Sequence, residues 1–402
     1  MRSTEHDWRQ KADEVTTVFP WYKDLLSDTP MRLEDFPLMT AELLEKHYYT
    51  QPLTAPDHTP LHVYRTSGTN SNIRKQIYYS EADDEAYLKL KTEVFHQFIK
   101  QAGIQTAMAD MGTGHAASTA LQIFDRLHLQ SKEISFQLPI VEHVKQLKDF
   151  KPDLLYTMPS ILDHLVSAAE DPTVFGIKKI ILVGEVATKQ WIERMAQLLR
   201  IQPADIMDTY GSIEIGTIAY YSHDHDRYIF VDGIVAEGIE AEALNIEDDP
   251  LRENERILVL TSFVRKMFPA IRFVTYDVVR DLKPVLVQGE WRQSFKKLVK
   301  RVGTELKHGE KISLYDIEEI VYRHLPKAGI RVKVSENALS VYIQSPYLED
   351  AIKRQIQHEI EHKIPEIGEM IEHKILDEIR VIAVPIGEQL NRGTVKNKKI
   401  YD

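Results

Sequence analysis

The sequence contains no cysteine among its 402 residues. A chain without thiols forms no disulfide, has no thiolate nucleophile and offers no cysteine ligand to zinc. It also lacks an apolar run long enough to span a bilayer. Residues 1–15 are polar and have no apolar core of the kind found in secretory signal peptides. We therefore expect a soluble, cytoplasmic protein with no membrane partner.

Positive charge is in short supply. The chain has 50 Lys and Arg residues and 61 Asp and Glu residues, which gives a formal net charge of -11. This balance gives no electrostatic reason to expect a nucleic-acid partner. The length exceeds the size at which a single core usually keeps growing, so two domains are expected.

The clearest structural pattern lies between residues 134 and 211. Apolar strands are predicted at 153–157, 179–183 and from 205, and helices at 141–150, 161–169 (with Ser160 as N-cap) and 188–200. This alternation indicates an α/β fold with βαβ crossovers and a parallel sheet. Ligands bind beyond the carboxyl ends of such strands, which points to the segments 158–160, 184–186 and 210–214.

Beyond residue 225 the pattern changes to short β-rich runs, which predict a β subdomain. Near residue 303 it changes again, to a helix from Asp316, strands at 330–334 and 339–343, a charged helix and a last strand at 379–384. We expect an N-terminal domain over 1–303 and a small mobile α+β domain over 304–402.

Four segments carry residue types suited to nucleotide chemistry. Residues 66–75 are rich in hydroxyls and can donate to phosphate, although such loops are often ordinary polar turns. Residues 208–214 follow a buried strand and supply an aromatic ring, a glycine and a carboxylate. These groups could serve a nucleotide, or the Tyr could equally be packed in the core and the Glu solvated. Asp277, expected at a strand end, could bind ribose hydroxyls or form a turn. The tail 391–399 is basic and could simply be solvated.

Together the four segments resemble, in order, the adenylate-forming superfamily of acyl-CoA synthetases and adenylation domains. Thr66–Arg74 is similar to its TSGTTGxPK phosphate loop, 210–214 to its YGxTE motif, and 272–277 to its ribose segment. Residues 310–319 resemble the run that opens the family's small domain. The segments 150–153, 158–160 and 269–273 are closest to the phenylacetate–CoA ligase branch. Departures from the pattern are Ser71, Ile73, Arg74, Ile213 and Thr304.

The resemblance implies an ATP-dependent ligase that forms an acyl-AMP and passes the acyl group to the thiol of CoA or of a carrier-protein phosphopantetheine. It implies catalytic roles for Lys396, Glu214 (holding Mg²⁺) and Arg74. The nucleotide would contact Thr66, Ser67, Gly68, Thr69, Gly184, Glu185, Asp208, Tyr210, Gly211, Ser212 and Asp277.

In the resembled branch the acid is mostly aromatic, as in phenylacetate activation or the hydroxybenzoates of siderophore and antibiotic pathways. His115, Gly114 and Pro159 are the candidate acid-binding residues. His115 could meet a phenolic hydroxyl, or could begin a helix without touching substrate. A homodimer is left open.

Two other functions compete with this one. The first is a non-catalytic nucleotide- or acyl-binding relative, favoured by Ser71, Ile73 and Ile213. The second is a zinc peptidase, because 358–362 reads HEIEH, although a charged solvent-facing helix explains that run better. His223 and His225 could also bind a metal, or lie in a solvated loop.

Overall fold

The computed structural model describes residues 8–26, 30, 32–65, 75–111, 115–185, 187–245, 251–302, 314–326, 328–335, 338–372, 378–385 and 400–401. Within these, the α-helices are α1 (Trp8–Val18), α2 (Ala41–Leu44, continued by a π-helical turn Glu45–Tyr49), α3 (Glu81–Ile99), α4 (His115–Arg126), α5 (Ile140–Phe150), α6 (Pro159–Ala168), α7 (Lys189–Leu199), α8 (Leu314–His324), α9 (Asp350–Lys363) and α10 (Pro365–Glu372). Short 3₁₀ turns cover Pro20–Leu25, Leu33–Asp35, Pro172–Phe175, Pro203–Asp205 and Ala241–Leu244.

The strands are β1 (His62–Arg65), β2 (Gln76–Tyr79), β3 (Thr106–Asp110), β4 (Gln130–Ile134), β5 (Leu154–Thr157), β6 (Lys179–Leu182), β7 (Ile206–Ser212), β8 (Gly216–Ser222), β9 (Arg227–Phe230), β10 (Ile234–Ile239), β11 (Glu255–Ser262), β12 (Phe273–Arg280), β13 (Lys283–Val287), β14 (Glu290–Phe295), β15 (Lys297–Arg301), β16 (Gly329–Ser335), β17 (Ala338–Gln344), β18 (Glu378–Ala383) and β19 (Ile400–Tyr401). No helix among the described residues has both the length and the apolar character needed to cross a bilayer.

A nine-stranded mixed sheet forms the centre of the larger unit, in the order β13-β14-β9-β8-β7-β6-β5-β3-β4. The five strands from β4 to β7 are parallel, as the βαβ pattern predicts. From β8 onward the strands run antiparallel, so part of the expected β subdomain extends the main sheet. The rest forms an antiparallel sheet, β10-β11-β12-β15.

Local signals explain why the helices begin where they do. Ser80 and Asp83 form a reciprocal capping box at the start of α3, and the Thr188 hydroxyl accepts from the amide of Trp191 at the start of α7. The prediction that Ser160 is an N-cap is wrong. Helix α6 begins two residues before the predicted start, at Pro159, whose fixed φ suits the first helical position, and Met158 is the N-cap.

The C-terminal unit is an α+β layer in which a sheet ordered β18-β17-β16-β19 is covered by helices. It packs on the larger unit through α7 and α8. Trp191 and Ile317 belong to one buried cluster, and the Arg194 guanidinium lies 5.0 Å from the centre of the Tyr322 ring. Arg194 also pairs with Asp163 at 2.7 Å, which fixes its position on α7.

Candidate active site

A side-chain hydrogen bond joins strand β7 to strand β12. The Tyr210 hydroxyl donates to Asp277 Oδ2 at 2.6 Å, although the two residues lie 67 positions apart and in different sheets. The Tyr210 ring packs edge-on against Phe295, with the ring centres 5.9 Å apart. Asp277 lies within β12 and not at its end, so the prediction of a strand-end carboxylate is wrong in that detail.

Charged side chains gather around this bond. Asp277 stands opposite Arg301 in the β12–β15 ladder. Burial raises the pKa of Asp277, and the charge of Glu214 raises it further, against the lowering effects of Arg301 and the Tyr210 hydroxyl. Loss of hydration alone would lower the pKa of Arg301, but the Asp277 and Glu214 carboxylates hold it above its usual value. The structure thus brings Glu214 and Asp277 together around one arginine.

Tyr49 and Lys75 border the same cluster. The Lys75 ammonium lies 4.8 Å from the centre of the Tyr49 ring. Burial, followed by the charge of Glu214, holds the pKa of Tyr49 well above its usual value. Lys75, which directly follows the proposed phosphate loop in the sequence, is thus placed beside the Tyr49 ring.

The turn that carries Glu214 is held by its backbone. Arg265 Nε donates to the Glu214 carbonyl at 3.0 Å, and the Tyr79 hydroxyl donates to the Ile213 carbonyl at 2.7 Å. The Arg265 guanidinium also stacks 3.6 Å over the Tyr79 ring and pairs with Asp83 at 2.8 Å, in a pair whose side chains are almost fully buried. No motif in the sequence marks Arg265, Tyr79 or Asp83 as part of the site.

Two glycines allow the chain to turn here. A Cβ on Gly211 would lie 2.5 Å from the Gly216 carbonyl oxygen, which is too close for any side chain. Gly216 has φ +93°, a conformation that residues with a side chain rarely adopt. Ser212 Oγ accepts from the Ile215 amide at 3.3 Å and closes the turn.

Asp208 is a buried carboxyl group on β7, opposite Leu182, the last residue of β6. Its Oδ2 accepts from the Tyr228 hydroxyl at 2.5 Å and from the Ala187 amide at 3.4 Å. Its Oδ1 has no hydrogen-bond partner among the described residues. Burial raises the pKa of Asp208 to about 7, because the charged form loses its hydration. One acceptor thus remains available at the ligand edge of the sheet.

The Gly184-Glu185 turn lies at the same edge. Gly184 has φ +84°. The Glu185 carboxylate accepts from both the amide and the hydroxyl of Ser160, each at 2.9 Å. The side chain of Glu185 therefore caps α6 at its buried first residues, Pro159 and Ser160.

His115 begins α4 and is only 5% exposed. Its Nε2 lies 2.9 Å from Asp84 Oδ1, and its ring centre lies 4.4 Å from that of Tyr79 and 4.1 Å from that of Tyr87. Burial lowers the pKa of His115, against the raising effect of Asp84. One ring nitrogen is thus engaged by a carboxylate.

Several predicted site residues lie outside the described residues. These are Thr66, Ser67, Gly68, Thr69, Arg74, Gly114 and Lys396.

The histidine motifs that could bind a metal have other partners. Glu359 of the HEIEH run contacts Arg323, His324 and Lys363, each at 2.7–2.8 Å, which leaves it poorly placed as a general base. The rings of His223 and His225 lie within hydrogen-bond distance of backbone carbonyls. Across the described part of the chain, no three metal-ligating side chains gather in one place.

Comparison with known proteins identifies the family of this chain. The chain is 37% identical over 380 residues to fumarate–(S)-2,3-diaminopropanoate ligase of Enterobacter agglomerans, covering 94% of both chains. The chain belongs to the adenylate-forming ligases. Within them, a family described as the fumarate–diaminopropanoate ligase C-terminal domain matches residues 307–387. The chain is therefore an enzyme, a ligase.

More distant proteins share part of the sequence or the fold. The ligase is 23% identical to phenylacetate–coenzyme A ligase of Aromatoleum evansii over 246 residues, 54% of this chain and 53% of that one. Its fold matches a crystal structure of 2-hydroxyisobutyryl-CoA ligase in the postadenylation state with a TM-score of 0.74. That match covers 100% of this chain and 90% of the other at 16% identity. The predicted resemblance and the α/β fold class are confirmed.

Proposed function

We infer that this ligase uses ATP to activate a fumarate-class dicarboxylic acid as an acyl-adenylate, and then transfers the acyl group to the amine of an amino acid. The observation that carries this proposal is the 37% identity, over 94% of both chains, to an enzyme named for fumarate and 2,3-diaminopropanoate. The aromatic acid expected from sequence is less well supported, since the named aromatic-acid relative covers about half of this chain.

The cluster around Asp277 fits the nucleoside part of ATP. The Asp277 carboxylate accepts from the ribose hydroxyls, in a site where its bond to Tyr210 fixes its direction. The Tyr210 ring, turned edge-on to Phe295, offers a face to adenine. Asp208 Oδ1, which has no protein donor among the described residues, accepts from the adenine amino group. Gly184, Glu185, Gly211 and Ser212 form the backbone around the base.

Glu214 fits a magnesium ion bound together with phosphate oxygens. Mg²⁺ prefers hard oxygen ligands and usually takes one or two carboxylates from the protein, with phosphates and water completing its shell. Arg265 and Tyr79 hold the two carbonyls of the Glu214 turn, so the carboxylate is presented from a fixed backbone. The ion would supply positive charge to the triphosphate.

The first half-reaction follows from this arrangement. A carboxylate oxygen of the acid forms a bond to the α-phosphorus, the bond to the bridging oxygen breaks, and pyrophosphate leaves. Negative charge spreads over the transferring group, so catalysis consists of positioning and charge stabilisation. We assign this stabilisation to Lys396, with Thr66–Arg74 and Lys75 around the β- and γ-phosphates. Residues 304–402 would form the mobile domain that carries Lys396.

In the second half-reaction the acceptor's nitrogen forms a bond to the acyl carbon, and AMP leaves with the former carboxylate oxygen. The acceptor loses one proton, and the product is an amide. The thiol acceptors expected from sequence, CoA and phosphopantetheine, would give a thioester by the same order of bond formation and cleavage. The relative named for an amino acid acceptor favours the amine.

The test is ATP–pyrophosphate exchange across a panel of acids, followed by an acceptor panel. We expect exchange with fumarate to exceed exchange with benzoate, phenylacetate and hydroxybenzoates. We then expect amide formation with 2,3-diaminopropanoate and no thioester with CoA. Preferred exchange with an aryl acid, or a thioester as the product, would restore the expectation drawn from sequence.

A further inference from the structure

Lys91 is a buried cation inside an aromatic cage. Its side chain lies on α3 between Tyr87 and Phe95, one turn away on either side, and Tyr156 of β5 closes the cage. The Lys91 ammonium lies 5.2 Å from the ring centres of Tyr87 and Tyr156 and 5.9 Å from that of Phe95. The residue is only 3% exposed. Rings at these distances attract a cation, but they cannot accept its hydrogen bonds as a carboxylate can.

No carboxylate among the described residues forms an ion pair with Lys91. Its described hydrogen-bond partner is the Tyr87 hydroxyl, at 3.1 Å, which uses one of the three ammonium donors. A buried charge is costly unless an opposite charge or several hydrogen bonds compensate it. An anion beside the Lys91 ammonium would supply this compensation.

Two neutral groups nearby also lack well-aligned partners. The Tyr156 hydroxyl, on a fully buried residue, lies close enough to Lys91 and Tyr87 for both to influence its pKa, which burial raises, but its hydrogen-bond geometry to described residues is poor. The hydroxyl of Thr217, a buried residue on β8, has no hydrogen-bond partner among the described residues. Buried hydroxyls are nearly always hydrogen-bonded, so an anion bound beside Lys91 would give the Tyr156 hydroxyl a well-aligned acceptor.

The cage lies directly behind the turn that carries Glu214. A Cβ on Gly216 would meet the Tyr87 ring at 3.1 Å, so Tyr87 touches the first residue of β8. On its other side the Tyr87 ring contacts His115, whose pKa is sensitive to the charge of Lys91. A short molecule with its reacting end at the β7–β8 turn would therefore point its far end towards Lys91.

We propose that Lys91 binds the distal carboxylate of the acid and so selects dicarboxylic over monocarboxylic acids. The Tyr87 and Tyr156 hydroxyls would donate hydrogen bonds to the same carboxylate. This inference rests on the proposed function, because a monocarboxylic acid has no such group. The cage would accept a carboxylate at the far end and reject a methyl or ester group there, since either leaves the ammonium unpaired.

The experiment compares fumarate with crotonate and monomethyl fumarate, which keep the reacting carboxylate and replace the distal one. Lys91→Met is the test variant and Lys89→Met is its matched control, because Lys89 lies exposed two residues away on the same helix. We expect Lys91→Met to lower kcat/KM for fumarate about 100-fold in pyrophosphate exchange, the loss typical of a charged hydrogen-bonded contact. Crotonate activity and the KM for ATP should stay unchanged, and Lys89→Met should behave as wild type.

Tyr156→Phe is a second variant that tests the proposal even if Lys91→Met fails to fold, because it removes only one hydroxyl from the cage. We expect this variant to raise the KM for fumarate about tenfold and to leave crotonate unaffected. Equal losses for fumarate and crotonate in both variants would mean a structural role for the cage and overturn the inference.

The two proposals can fail separately. If wild-type enzyme activates no dicarboxylic acid, the proposed function fails first. If wild type prefers fumarate over crotonate and both cage variants keep that preference, the proposed function stands and the role of Lys91 is wrong.

Discussion

The Tyr210 hydroxyl and the Asp277 carboxylate, 2.6 Å apart, join the nine-stranded sheet to the four-stranded sheet at the carboxyl end of β7. Glu214, on the turn that follows Tyr210, influences the pKa of Asp277, so the two carboxylates share one electrostatic environment. A nucleotide bound to Asp277 and an ion bound to Glu214 would therefore be adjacent.

Asp277→Asn tests the ribose assignment. The variant keeps the shape of the side chain but loses its charge, so its hydrogen bonds to ribose hydroxyls weaken. We expect the KM for ATP to rise about 10- to 100-fold, as for loss of a charged hydrogen bond. The KM for the acid should change little. Asp232→Asn, at an exposed carboxylate, is the control and should match wild type. An unchanged KM for ATP in Asp277→Asn would place the ribose elsewhere.

Arg265→Lys tests the support of the Glu214 turn. Lysine keeps the charge but cannot reach the Glu214 carbonyl, the Tyr78 carbonyl and Asp83 together, as the guanidinium does. We expect a loss of stability of about 2–4 kcal/mol, because the Asp83 carboxylate is left poorly paired in the core.

The same variant should need more Mg²⁺ for half-maximal pyrophosphate exchange, since the Glu214 carboxylate is less firmly placed. The control is Arg256→Lys, which alters a more exposed ion pair with Glu240. A lower Tm with an unchanged Mg²⁺ requirement would limit Arg265 to a structural role.

Asp208→Asn tests the buried acid through pH. Because burial raises the folded-state pKa of Asp208 to about 7, the folded protein holds a proton that the unfolded chain releases near pH 4. The free energy of unfolding should therefore fall as pH rises from about 4 to 7, by on the order of 1–3 kcal/mol from this group. Asp208→Asn cannot ionise and should lose that fall, which urea unfolding at several pH values measures. Parallel pH curves for wild type and variant would contradict the assignment.

Glu185→Ala separates a structural from a nucleotide-binding role. Its carboxylate accepts two hydrogen bonds from Ser160, so we expect a loss of about 1–2 kcal/mol, as for removal of a helix cap. A double-mutant cycle with Ser160→Ala should give the coupling energy of the hydroxyl bond alone, because alanine keeps the backbone amide that donates to Glu185. A large rise in the KM for ATP with little loss of stability would instead indicate that the carboxylate contacts the nucleotide.

The sequence predicted the part of the fold in which local pattern decides the structure. The strands β5, β6 and β7 and the helices α5, α6 and α7 each carry their own periodicity and flanking signals, and all six are present. The continuation of the sheet through β8, β9, β14 and β13 was not predicted, because short alternating strands do not specify their partners. Ser160 was misassigned as a cap because Pro159 already suits the first turn.

The same limit applies to the site. Tyr210, Glu214 and Asp277 were found because they lie in recognisable short segments. Arg265 was missed because its contacts, Tyr78, Asp83 and Glu214, lie 51–187 residues away along the chain. No sequence pattern singled out Lys91, because its cage is formed by Tyr156, 65 residues away, as well as by its own helix.

The central claim is that an acyl-adenylate links the two half-reactions, and isotope transfer tests it most directly. Fumarate labelled with ¹⁸O in its carboxylates is incubated with ATP, the enzyme and 2,3-diaminopropanoate. The mass of the nucleotide product is then measured by mass spectrometry. We predict AMP that carries one ¹⁸O atom, because the attacking carboxylate oxygen stays on the α-phosphate when the amide forms. Unlabelled AMP, or ADP with the label in inorganic phosphate, would contradict the account.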